Sequence, residues 1–118
     1  MLTELIETVV FNLGPVERIP LGEGRDFQIG DQEVVVFRTR AGLLHALQAK
    51  CSHRAGPLAD GLTGGGKVVC PMHGFKFELA TGVPVGNECA ALQTFPVELS
   101  AAGEVLLTLN HDHVAIRN

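Results

Sequence analysis

Cys51-Ser52-His53 and, after sixteen intervening residues, Cys70-Pro71-Met72-His73 decide how this chain is read. Each is a short Cys/His pair beside glycine or proline, which is what a metal centre needs from two adjacent loops. Within a pair the two side chains are near enough to share one centre without long-range precision. The gap lets the second loop come up against the first. The order is Cys-His then Cys-His, whereas a zinc finger places both thiolates before both histidines.

This arrangement resembles the Rieske iron–sulfur proteins, in which two cysteines bind one iron of a [2Fe–2S] cluster and two histidines bind the other. The resemblance implies that Cys51 and Cys70 are the thiolate ligands and His53 and His73 the imidazole ligands. It extends to His53-Arg54-Ala55-Gly56-Pro57-Leu58-Ala59-Asp60-Gly61, similar to the family's first cluster loop, and to Cys70-Pro71-Met72-His73-Gly74-Phe75, similar to its second. Thr81-Gly82 matches the turn that follows. Similarity is strongest over residues 30–100. Zinc binds the same four donors in tetrahedral sites; the loop sequences, not the ligand types, favour iron and sulfide. Two thiolates and two neutral imidazoles leave the oxidised centre neutral, where four thiolates would make a dianion. An electron is therefore accepted at a higher potential than in an all-cysteine cluster.

The chain has 118 residues and 46% apolar content, enough for one domain with a real core. Tryptophan and tyrosine are absent, so Val, Leu, Ile and six Phe must fill it. Fourteen glycines point to many turns. A net charge of −4 without a basic stripe argues against nucleic acid. Met1-Leu2-Thr3-Glu4-Leu5-Ile6-Glu7 lacks the basic start of a signal peptide, and no apolar run approaches membrane length. The expectation is a soluble, cytoplasmic protein. Three cysteines, two of them assigned to the cluster, leave no disulfide framework.

Strands are expected at residues 9–13, stopped by Gly14-Pro15, and at 25–29, 33–38 and 43–49. Turn signals every 8–12 residues indicate an all-β, antiparallel sandwich or barrel. Residues 50–66 have little periodicity and six glycines or prolines. With a brief strand at 67–69, another at 75–79 and a turn at Ala80-Thr81-Gly82, residues 50–82 read as a small cluster-binding subdomain inserted in the sheet. Residues 83–92 read as irregular. Residues 93–99 and 104–109 read as a final hairpin about Ala101-Ala102-Gly103, and the polar tail from His111 as frayed.

Within the resemblance, high-potential members tie the two loops with a disulfide, where this chain has Gly56 and Met72. They also place hydroxyls near the sulfurs, where it has Phe75 and Phe77. Losing hydrogen bonds to sulfur lowers the potential, so about −150 mV is expected. Gly56, Gly61 and Gly74 read as turn and close-approach positions, and Pro57, Leu58, Pro71 and Met72 as an apolar shell. Arg54, Lys67 and Lys76 read as solvated charges, Cys89 as a small hydrophobe, and His45 as a structural histidine. His111-Asp112-His113 reads as an adventitious metal binder.

No triad, phosphate loop or carboxylate pair suggests catalysis by this chain alone. The resemblance implies one-electron transfer with a redox protein partner. Phe37-Arg38-Thr39-Arg40, Thr81-Gly82-Val83-Pro84-Val85-Gly86 and Thr94-Phe95-Pro96-Val97 are most similar to the small subunit of assimilatory NAD(P)H nitrite reductase. The partner would then be that enzyme's sirohaem and flavin large subunit. The alternative is the ferredoxin of an aromatic-ring dioxygenase, with a ferredoxin reductase and an oxygenase as partners. A structural subunit without redox function would need vestigial ligands, and all four are intact.

Overall fold

The computed structural model describes residues 8–52, 55–72 and 74–110. In chain order its strands are β1 (Thr8–Pro15), β2 (Glu23–Ile29), β3 (Gln32–Arg38), β4 (Leu44–Gln48), β5 (Leu62–Gly64), β6 (Lys67–Val69), β7 (Lys76–Glu78), β8 (Pro84–Val85), β9 (Thr94–Phe95), β10 (Val97–Leu99) and β11 (Glu104–Asn110). They form three antiparallel sheets, ordered β1-β11-β10, β2-β3-β4-β9 and β5-β6-β7-β8. The all-β, antiparallel architecture expected from the turn spacing is present.

β3 explains the stacking. Successive side chains of a strand point to opposite faces, and every residue from Val34 to Phe37 is buried. Val34 and Val36 enter one core with Ile19, Ala46, Phe95, Val105, Leu107 and Leu109. Val35 and Phe37 enter a second core with Leu47, Leu58, Val68, Phe77 and Leu92. The sheet carrying β3 is thus the middle layer, with the β1-β11-β10 sheet on one face and the β5-β6-β7-β8 sheet on the other. A strand covered on both faces has no polar side to alternate, which is why its sequence is continuously apolar.

Four local expectations change. β1 runs through Gly14 and ends at Pro15, two residues later than expected: its register with β11 shifts between Asn12 and Pro15. Asn12 Oδ1 accepts the Gly14 N–H at 2.8 Å, and Gly14 takes a φ of +96°. That bulge absorbs the extra residue and lets the strand continue. The stretch expected as one strand at 93–99 is two, because Pro96 has no N–H to pair. Its carbonyl accepts Thr108 N–H at 2.9 Å, and the chain passes there from the middle sheet to the first. Within 50–66 lie a 3-10 turn at Leu58–Asp60 and the strand β5. β8 occupies part of the stretch expected to be irregular. Strands of two or three residues are too short to show a period. The tail from His111 lies outside the described residues. Among the described residues no helix is long and apolar enough to cross a membrane.

His45 lies on β4 at the seam between the middle and third sheets, near Leu79 and the Thr63–Gly66 turn. Burial holds its imidazole below the ordinary 6.5. The unfolded chain therefore protonates first as pH falls, so stability is full above pH 6.5 and declines below it. Replacing His45 by Gln is expected to flatten this decline, measured as urea midpoints across the acid range. A slope identical to that of the unaltered protein would assign the decline to other groups.

Candidate metal centre

Two loops of one shape carry the cysteines. In the first, between β4 and β5, Cys51 N–H donates to Gly56 O at 2.7 Å and Ala55 N–H donates to Cys51 O at 3.0 Å. In the second, between β6 and β7, Cys70 N–H donates to Phe75 O at 2.7 Å and Gly74 N–H donates to Cys70 O at 3.2 Å. Each cysteine is thus hydrogen-bonded to the residues four and five positions on. The fourth position must be left-handed to close such a turn. Gly74 has φ +72° there and Ala55 has φ +54°.

An L-residue in that region is strained by about 1–2 kcal/mol, and glycine is not. Part of this gain is offset by glycine's freedom in the unfolded chain. Ala55→Gly is expected to raise stability by about 0.5–1 kcal/mol, seen as a higher denaturation midpoint. A lower midpoint would mean that the methyl group contributes more than the strain costs.

Cys51 is 3% exposed and Cys70 fully buried, both in the second core with Leu58, Val68 and Phe77. Ser52, Ala55, Pro71, Met72 and Gly74, at the loop tips, are exposed. The expected apolar shell therefore divides: Leu58 closes the site from beneath, while Pro71 and Met72 face solvent. The loops touch at Gly56, where an added Cβ would lie 2.8 Å from Cys70 Sγ and 2.7 Å from Met72 Cγ. Gly61 leaves room for another close approach, since a Cβ there would strike the Val69 carbonyl oxygen just before Cys70. A Cβ at Gly74 would meet open space, so glycine is required there by φ alone.

No disulfide occurs among the described residues. Two thiols on touching loops, shielded from water by aliphatic and aromatic side chains, suit a soft metal centre. His53, Arg54 and His73 lie outside the described residues. Among those described, no three Cys, His, Asp or Glu side chains converge as a metal site.

A third segment, within the stretch read as irregular, borders both loops. Asn87 Nδ2 donates to Lys76 O at 3.2 Å and to Val85 O at 3.3 Å, and its Oδ1 accepts Cys89 N–H at 3.0 Å. Ser52 Oγ donates to Ala90 O at 2.6 Å. Leu92 N–H donates to Gly82 O at 2.8 Å, and its side chain enters the cysteine-bearing core. Cys89, half-buried, packs against the same core, in keeping with a small hydrophobe. Lys76 is exposed and Lys67 half-buried. Beside the first loop, burial holds the Asp26 carboxyl above its ordinary range, opposed by the charge of Lys50.

Among known families, the Rieske [2Fe–2S] domain matches residues 9–96. A 4beta-methylsterol monooxygenase of Methylococcus capsulatus is 47% identical over 47 residues, which are 40% of this chain and 13% of that protein. The chain thus spans about an eighth of that relative. Ferredoxin CarAc of Metapseudomonas resinovorans is 32% identical over 79 residues, 66% of this chain and 72% of that one. Among solved structures, a protein assigned as the NADH-dependent nitrite reductase small subunit of Mycobacterium tuberculosis superposes with a TM-score of 0.80 over 87% of this chain and 96% of that chain. Its sequence identity is 19%, so that likeness is one of fold.

Proposed function

The chain belongs to the Rieske [2Fe–2S] domain family, and from that premise we propose that it is a one-electron carrier of the ferredoxin kind, passing electrons to a larger oxidoreductase. When bound, the [2Fe–2S] cluster accepts and returns one electron at a time. In this reading Cys51 and Cys70 would hold one iron as thiolates, giving up their protons on binding, and His53 and His73 would hold the other as neutral imidazoles. The core supports it: both thiols sit buried in touching loops of the same shape. Leu58, Val68 and Phe77 keep water from the buried side, while the exposed tips leave a short path to a partner. Phe77 is fully buried and brings no hydroxyl toward the sulfurs, which supports the low end of the Rieske potential range, about −150 mV.

The observation that carries the ferredoxin role is the 32% identity with a ferredoxin over 72% of that protein's length. The partners of this role are a flavin reductase and an oxygenase. A second role, the small subunit of an assimilatory nitrite reductase, is favoured by the motifs about Thr81-Gly82-Val83-Pro84 and Thr94-Phe95-Pro96, and by the fit over 96% of such a chain. Affinity isolation from native cells, followed by a visible spectrum, separates the two. A brown protein emerging alone or with a small flavoprotein supports the ferredoxin. A large companion with sirohaem and flavin bands overturns it in favour of the nitrite reductase.

A further inference from the structure

Two hydrogen-bonded knots lie outside the ligand positions yet connect the two cysteine loops. At one end, the Asn87 carboxamide holds Lys76 O, Val85 O and Cys89 N–H. Lys76 begins β7, the strand by which the chain leaves the second loop. At the other end, the Ser52 hydroxyl holds Ala90 O at 2.6 Å, and Ser52 lies between Cys51 and His53 in the first loop. Between Asn87 and Ala90 run only Glu88 and Cys89. One side chain gripping three backbone groups fixes the shape of this short run. That shape places the Ala90 carbonyl where Ser52 reaches it.

We propose that Asn87 and Ser52 are positioning residues that clamp the two cluster loops to each other through residues 87–90, a tie that passes through neither the cluster nor a disulfide. The inference rests on the reading that these loops hold the cluster. The loops also approach each other at Gly56 and Met72, where an added Cβ on Gly56 would lie 2.7 Å from Met72 Cγ, and Met72 is 41% exposed. An approach of that kind resists separation weakly. A hydrogen bond is directional and holds its partners at a set distance, and here each bond restrains a loop whose other end is already fixed in the core. The clamp keeps the loops from parting far enough to admit water or a chelator.

The test is the rate at which excess EDTA bleaches the visible absorption of the cluster-loaded protein, for Ser52→Ala, Asn87→Ala and the double variant. Each single variant is expected to bleach about three- to tenfold faster, the range one such hydrogen bond supplies. Because the two act in series, the double variant is expected to bleach no faster than the faster single one. Ser52→Thr, which keeps the hydroxyl, is expected to restore the original rate. Thermal midpoints of the same variants report any general loss of fold. Single variants within twofold of the original protein, or effects that multiply in the double variant, overturn the clamp. Retention of the cluster by Cys51→Ser would instead overturn the reading on which it rests.

Discussion

Cys70→Ser is expected to yield a colourless protein without bound iron, and a less stable one. Serine keeps the size of cysteine, so the loop backbone can form as before. The bonds from Cys70 N–H to Phe75 O and from Gly74 N–H to Cys70 O involve only main-chain atoms. What changes is the donor. A thiol ionises readily when it meets a metal; a serine hydroxyl does not, and its oxygen is a poor match for a soft centre. The site would lose one of its two proposed sulfur ligands. The position is fully buried among Leu58, Val68 and Phe77, so the new hydroxyl faces an apolar core. An unsatisfied buried hydroxyl costs about 1–3 kcal/mol. To this is added the loss of whatever stabilisation a bound cluster supplies by binding only the folded state. In a domain of this size each kcal/mol corresponds to about 4–8 °C. The midpoint should fall by about ten degrees or more. Iron analysis, visible absorption and thermal unfolding check it. A brown variant with unchanged iron content would show that the cluster is held without Cys70.

Gly56→Ala tests the contact between the loops with a single methyl group. The added Cβ would lie 2.8 Å from Cys70 Sγ, 2.7 Å from Met72 Cγ and 3.2 Å from Met72 Cβ. Met72 is partly exposed and its end can swing away. Cys70 is enclosed and cannot, so the loops must separate or the thiol must turn. Either response moves a proposed ligand. Overpacking of this kind costs about 1–3 kcal/mol, and reduced cluster occupancy on purification is expected. Adding Met72→Ala should recover only part of the loss, because the sulfur contact remains. Gly64→Ala is the control: a Cβ there meets nothing within 4 Å, and a change within about 0.5 kcal/mol is expected. Full occupancy in Gly56→Ala would mean that the loops have more freedom than their geometry suggests.

Much of this was legible because the relevant signals are local. The run from Glu33 to Arg38 announced a strand, and turn spacing announced an antiparallel all-β fold. Cys51 and Cys70, read as paired loop residues, lie in touching loops. What could not be read depends on contacts distant in sequence. Nothing local shows that β3 is covered on both faces. Nothing in Ser52 points to Ala90, which is 38 residues away. Gly56 reads as a turn and close-approach glycine, and an added Cβ there would meet Cys70 Sγ, but no local signal names that partner. β8 is obscured by its length, since a two-residue strand is defined by its partner and not by its own sequence.

The sheet shared by both cores also governs how the molecule comes apart. Excised from the chain, the segment bearing the two loops would lose the wall that Val35, Phe37 and Leu47 provide, and Leu58, Val68 and Phe77 would face water. The opposite sheet would fare no better without Val34 and Val36. Neither half is an autonomous module that could be transplanted by itself. Opening on one side removes support from the other, so release of the cluster and melting of the distant β1-β11 edge are expected to be coupled through β3 and β4, whose residues enter both cores.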